Sequence, residues 1–177
     1  MITRFYLPAL PVLMVLLIAS GSVLAQDLEQ RRREAGLPGT TVARLQELAT
    51  DSDWQVRQKV SRNRSTPAAL LDKLADDPHP QVRIGVATNI ETTEQIFVKL
   101  ARDSDTAVRS VVARYEYVPP SALALLAEDR DGEIRLEVAR NWNTAPATLQ
   151  KLTRDPLPEV RHTAEISLEK RRKESQE

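Results

Sequence analysis

The chain has 177 residues, 41% of them apolar and 28% charged, with 25 basic against 25 acidic side chains. That is the make-up of one ordinary folded domain and excludes disorder throughout. It contains no cysteine, which excludes disulfides, thiolate metal sites, iron–sulfur clusters and cysteine nucleophiles.

Residues 1–25 differ in kind from the rest of the chain. MITRFY carries one charge at Arg4, LPALPVLMVLLIAS is apolar, and Val23-Leu24-Ala25 ends in small side chains. This is the layout of a secretory signal peptide with cleavage expected after Ala25, and it places the mature protein in the periplasm or outside the cell. A retained membrane anchor is the rival reading, but it needs about 20 uninterrupted apolar residues. Here Pro8, Pro11 and Ser20-Gly21-Ser22 interrupt the run. Because Arg4 is the leader's only charge, the remainder carries a net charge of −1. Such a chain has no bulk electrostatic reason to bind nucleic acid or an anionic membrane, and membrane association is expected only if the leader is retained.

Residues 26–39 read as an N-terminal capping segment. Its charge run, Arg31 to Arg33, is flanked by glutamates and reads as a solvated helix face. Beyond it the chain repeats. LATDSDWQVRQKVS from Leu48 recurs as LADDPHPQVRIGVA from Leu74, LARDSDTAVRSVVA from Leu100, LAEDRDGEIRLEVA from Leu126 and LTRDPLPEVRHTAE from Leu152, a period of 26 residues without an insertion. Three positions never vary: the leucine that opens each stretch, an aspartate (Asp51, Asp77, Asp103, Asp129, Asp155) and an arginine (Arg57, Arg83, Arg109, Arg135, Arg161). The units are 40–65, 66–91, 92–117, 118–143 and 144–169, and residues 170–177 form a charged C-terminal tail.

Each unit reads as two short helices. Thr66-Pro67 offers a cap and a first-turn proline for the first helix, and Thr92 with Gln95 offers a capping box at the equivalent place. Leu70, Leu71, Leu74 and Ala75 then share one face. The second helix follows the aspartate turn and pairs Val56 with Val60, Val82 with Val86, Val108 with Val112 and Ile134 with Val138 at i, i+4 spacing. Asn63, Asn89 and Asn141 are expected to stop it in the left-handed conformation. Strand signals are absent. Helices of about nine residues do not persist alone in water, so the units must stack.

The pattern Asn-x-x-Thr-Pro-x-x-x-Leu-x-x-Leu-Ala-x-Asp-x-x-x-x-Val-Arg-x-x-Val-Ala, nearly entire from Asn63 to Ala87, resembles the bacterial leucine-rich repeat variant family and, more distantly, HEAT repeats. The resemblance implies an all-α, right-handed α-solenoid of five two-helix repeats that acts as a binding surface. In that family the second helix is sometimes 3₁₀; the longer unit here leaves α-helix open. The iron–sulfur cluster of the family's best-known form does not transfer to a chain without cysteine, and no cofactor or metal is expected. The resemblance also implies that the repeated aspartate and arginine form a structural ladder between neighbouring units. An aspartate ahead of a helix suits its positive end, and an arginine one turn in can bond carboxylates of its own or the adjacent turn. Catalysis needs one carboxylate made unlike the others, whereas this one is the same in every unit.

No enzyme is expected. His79 and His162 are too far apart in sequence for a metal site, and each reads as a surface or capping residue. Partner-binding candidates lie where the repeat breaks. Tyr115-Glu116-Tyr117-Val118-Pro119 replaces Asn-x-x-Thr-Pro and so gives up a helix stop and a cap, while Trp142 puts an indole at the next turn. Such aromatics either anchor a partner or plug gaps between turns. A second candidate is the outward face of the second helices, commonly the concave side, where Arg62, Arg114 and Arg140 share one position and Thr88 and Ile166 interrupt the row. The functional expectation is a non-catalytic module that binds a protein or peptide. A polyanion binder using the arginine row and a membrane-anchored spacer are the alternatives.

Overall fold

The structure, a computed structural model, describes residues 24–174. Residues 1–23 of the expected leader, 1–25, therefore lie outside the described residues. Among those described there are eleven α-helices and no strand. Residues 24–36 form α1. Five pairs follow: α2 (Val42–Leu48) with α3 (Trp54–Arg62), α4 (Ala68–Leu74) with α5 (Pro80–Ala87), α6 (Glu94–Leu100) with α7 (Thr106–Arg114), α8 (Pro120–Leu126) with α9 (Gly132–Arg140), and α10 (Pro146–Leu152) with α11 (Pro158–Glu174). Every pair starts 26 residues after the one before it, and the second helix of each is α rather than 3₁₀.

The first helices are seven residues long, far below the length at which a helix holds in water, so tertiary packing must hold them. Leu45, Leu48, Leu71, Leu74, Leu100, Leu123, Leu126, Leu149 and Leu152 are buried on one side, and Val56, Val60, Val82, Val86, Val108, Val112, Ile134 and Val138 on the other. Together they make one continuous core from Ala35 to Ala164. The second helices form a layer in which α3 packs on α5, α5 on α7, α7 on α9 and α9 on α11, while each first helix covers its own partner. The result is a helical-repeat solenoid. At Gly85 the helices come so close that an added Cβ would stand 1.9 Å from Ser61 Oγ and 3.1 Å from Ser61 Cβ.

Four local expectations are corrected. Thr66 and Thr92 do not cap the first helices: Pro67 and Thr93 sit at those caps without a side-chain bond. The threonine hydroxyls turn back instead and donate to the Val60 and Val86 carbonyls at 2.6 Å, six residues earlier, which also accept from the Asn63 and Asn89 amides at 3.0 Å. Asn63 and Asn141 stop their helices in extended rather than left-handed conformation (φ −72 and −68°), and no non-glycine residue described has positive φ. The acceptors that cap the second helices are Asp53, His79, Asp105 and Asp131, two residues after the invariant aspartate. Tyr115 ends α7 in the same extended geometry as the asparagines (φ −66, ψ 132°), so the helix stop at the repeat's break is kept.

The ends also differ from expectation. Arg31 and Arg32 are half-buried and reach Asp51 (2.7 Å) and Asp53 (2.8 Å), leaving only Arg33 of that run as a solvated residue. Arg31 stands 26 residues before Arg57, which makes α1 the second helix of a truncated unit. The positions of Val56 and Val60 are taken there by Gln30 and Glu34, which bond one another at 2.9 Å and give the stack a polar face. At the other end residues 170–174 continue α11 rather than forming a tail. There Arg171 donates to the main-chain carbonyls of Asn141 (3.0 Å), Trp142 (2.7 Å) and Thr144.

Candidate functional site

The side chains of the invariant arginine and aspartate pair across units, never within one. Arg57 gives Nε to Asp77 Oδ2 at 2.6 Å and Nη2 to Asp77 Oδ1 at 3.0 Å. Arg83 holds Asp103 in the same way (2.7 and 2.8 Å), Arg109 holds Asp129 (2.6 and 3.2 Å) and Arg135 holds Asp155 (2.7 and 3.0 Å). Within its own unit each arginine uses Nη1 to reach the main-chain carbonyl of the aspartate: Asp51, Asp77, Asp103, Asp129 and Asp155, at 2.7–2.8 Å. The aspartates also accept from the amide two residues on. Only 7% of the Arg109 side chain and 6% of Asp129 is exposed, so each fork is a charge-assisted, bidentate pair largely shielded from water. Hydrogen bonds to the aspartates hold Arg57, Arg83, Arg109 and Arg135 above the usual guanidinium value. Burial pushes the Asp129 carboxyl up, but the Arg109 bond and the Asp131 amide outweigh it and hold it below the usual range; Asp155 is held low by Arg135 first.

A second ladder runs along the opposite turns. Asn63 Nδ2 donates to the Ala35 and Leu37 carbonyls, Asn89 Nδ2 to Ser61 and Asn63, and Asn141 Nδ2 to Ala113 and Tyr115, all at 2.8–3.0 Å. Tyr115 stands where the third unit's asparagine would be and has no amide to give. Its ring packs on Phe97 (centroids 5.8 Å) and on Tyr117 (5.7 Å, edge to face), and its hydroxyl donates to the Thr88 carbonyl at 3.3 Å. Burial raises its phenol pKa. Tyr115 is therefore a half-buried wedge between units.

Tyr117 and Trp142 point outward instead, 67% and 59% exposed. Tyr117, Tyr115, Phe97, Asn89, Thr92 and Ile90 line a shallow pocket of about 320 Å³. The cations of Lys170 (5.1 Å) and Arg171 (5.7 Å) lie over the Trp142 ring, which shares a pocket of about 270 Å³ with Arg140 and Ile166. Ile90, 59% exposed, was not singled out from sequence although it occupies the repeat position of Trp142. Of the arginine row, Arg62 and Arg114 are exposed, and Arg140 lies 3.4 Å from Glu137.

His79 stacks on Trp54 (3.9 Å, 5° between planes), and its Nδ1 accepts from the Gln81 amide at 3.2 Å. His162 is exposed. Among the described residues no three side chains of histidine or carboxylate type gather to hold a metal ion, and no helix is long and apolar enough to cross a membrane.

The fold of the stack has a counterpart among solved structures. The chain is similar to a leucine-rich repeat variant. The likeness to that structure, described as having a novel repetitive protein structural motif, has a TM-score of 0.61 at 27% identity and covers 76% of this chain. This chain spans 53% of the leucine-rich repeat variant's length. An engineered protein is similar at a TM-score of 0.46 and 21% identity, covering 79% of this chain and 86% of its own. No family model and no curated protein matches the sequence. Folds of this kind present extended surfaces made by successive units rather than enclosed cavities.

Proposed function

We propose that the chain is a non-catalytic protein-interaction scaffold that works outside the cytoplasm and engages a protein or peptide along the edge formed by Ile90, Tyr117 and Trp142. The observation that carries this reading is the exposure of two aromatic rings on consecutive turns of a rigid stack. Lys170 and Arg171 lie over the Trp142 ring and Tyr115 meets Tyr117 edge to face, yet both rings stay more than half exposed, and such side chains dominate the binding energy of protein interfaces. Their backbone is anchored: Asn143 bonds the Glu116 and Val118 carbonyls of the preceding turn. Anchoring lowers the ordering cost of binding. Export rests on the composition of residues 1–25, and Gln26 is the expected first residue of the mature chain.

The test is affinity capture with the mature chain and with Tyr117→Ala/Trp142→Ala. Tyr115 is left in place because it is a packing residue. Loss of captured protein with an unchanged melting temperature supports the reading. Capture that survives this variant but is lost in Arg114→Glu/Arg140→Glu moves the interface to the arginine row.

A further inference from the structure

Among the described residues the ladder has one rung with an arginine and no carboxylate. Arg57, Arg83, Arg109 and Arg135 share one arrangement, with Nη1 on the unit's own main chain and the Nε–Nη2 edge on the next unit's aspartate. Arg161 adopts the first half of it: Nη1 donates to the Asp155 carbonyl at 2.7 Å and to Pro156 at 2.9 Å, just as Arg109 donates to Asp103 and Ser104. Among the described residues no hydrogen bond or ion pair is made by its Nε–Nη2 edge. The guanidinium is thus already held in the orientation that grips a carboxylate four times inside the molecule, and ordering it costs a ligand little.

The two ends of the stack are not complementary. Arg31 already holds the Asp51 carboxylate, Arg32 holds Asp53, and α1 presents Gln30 and Glu34 in place of buried valines. A second copy stacked head to tail therefore has no free aspartate to offer at its leading face. Nor can a further helix approach α11 as closely as inside the stack. Glu165 stands there where Ser61, Ala87, Ala113 and Ala139 are buried against the following unit. A turn needs less room than a helix. The charge beside Arg161 also favours an acid: Arg102 lines the groove of the Arg109–Asp129 rung, and exposed Arg154 holds the same repeat position next to Arg161.

From this we infer that Arg161, with Arg154, is a docking site for an aspartate presented by a turn of a partner polypeptide, bound by the bidentate pairing that closes each internal rung. The site lies at the stack's C-terminal end and does not depend on the aromatic edge.

The probe is the acetylated, amidated peptide with the sequence of Leu74 to Pro80, the turn that presents Asp77 to Arg57. It is titrated into the ¹⁵N-labelled mature chain while the arginine Nε–Hε resonances are followed. The expected result is a saturable downfield shift of the Arg161 signal, with that of Arg154 the only other to respond, lost when the peptide carries Asp77→Asn. Isothermal titration calorimetry of the same peptide reads Arg161→Lys, which keeps the charge but not the fork and weakens binding about tenfold, the worth of one hydrogen bond to a charged group. Unchanged Arg109 and Arg135 signals in that variant verify its fold. Glu165→Ala tightens binding by removing a like charge. The inference is overturned by no saturable shift at Arg161, by an equal response to the asparagine peptide, or by a shift that follows protein concentration without peptide, which would assign the site to a second copy. Tyr117→Ala/Trp142→Ala leaves the titration unchanged, so this site and the aromatic edge stand or fall separately.

Discussion

Arg109 donates to the main-chain carbonyl of Asp103 at 2.8 Å, while the carboxylate of Asp103 is held by Arg83 of the preceding unit at 2.7 and 2.8 Å. Two residues six apart in sequence thus belong to different ion pairs and are joined only through the backbone. Each arginine ties its own turn to the next one, and each aspartate ties its turn to the one before.

That arrangement predicts which mutations interact. Arg109→Ala leaves the Asp129 carboxylate shielded and unpaired, and is expected to cost about 3 kcal/mol, the lower end for a buried pair broken on one side. For a domain of this size that is a fall of about 6–12 °C in melting temperature. A double-mutant cycle should find coupling of about 0.5–3 kcal/mol between Arg109 and Asp129. Coupling through Arg109 and the Asp103 side chain should be near zero, and the reverse result would contradict the cross-unit pairing.

Acid should loosen the stack in a defined window. Asp129 and Asp155 have carboxyl groups held below their ordinary value in the folded chain. A group whose folded pKa lies below its unfolded one contributes stability above the unfolded value, about 3.9, and loses it as pH falls through the folded value. Melting temperature should therefore be flat from neutral pH to about 5 and fall below about 4. Asp129→Asn/Asp155→Asn should start lower and show a shallower acid limb.

The asparagine ladder is a separate source of stability. Asn141→Ala removes the donors to the Ala113 and Tyr115 carbonyls and should cost about 1–3 kcal/mol, read from the urea midpoint. Asn143→Ala, at a half-buried rather than a buried position, should cost less.

Close approach at Gly85 can be tested from both sides. Gly85→Ala drives a methyl group into Ser61 and the stem of Arg62 and should destabilise by about 1–3 kcal/mol. Ser61→Gly in the same chain should recover part of the loss, because it removes the nearest obstructing atoms.

The period, the helix pairs and the buried valines were legible because they are written as identities at fixed spacing. What was not legible is direction. Thr66 reads as a forward cap in any pattern analysis, yet its hydroxyl turns back to Val60; Asn63 reads as a conformational stop, yet its value lies in bonds to carbonyls 26 and 28 residues earlier. Invariance marks a residue as needed without naming its partner when that partner is main chain, which has no sequence signature. Arg31 escaped for a different reason: its unit lacks the aspartate and the valines, and only subtracting one period from Arg57 would have exposed it. Tyr115 was legible as a break, but its half-burial against Phe97 and the exposure of Tyr117 depend on packing across units that local sequence does not contain.

The uninterrupted 26-residue period means that chain length here is quantised. The ladder arginines reach the aspartates of the next unit and the ladder asparagines the carbonyls of the one before, each at a constant offset, so excising residues 66–91 as a block leaves Arg57 facing Asp103 as it now faces Asp77. Removing one residue more or fewer misaligns both ladders and turns the helix faces away from the core. A gene coding for such a stack can be lengthened or shortened by whole units while the two ends stay unchanged.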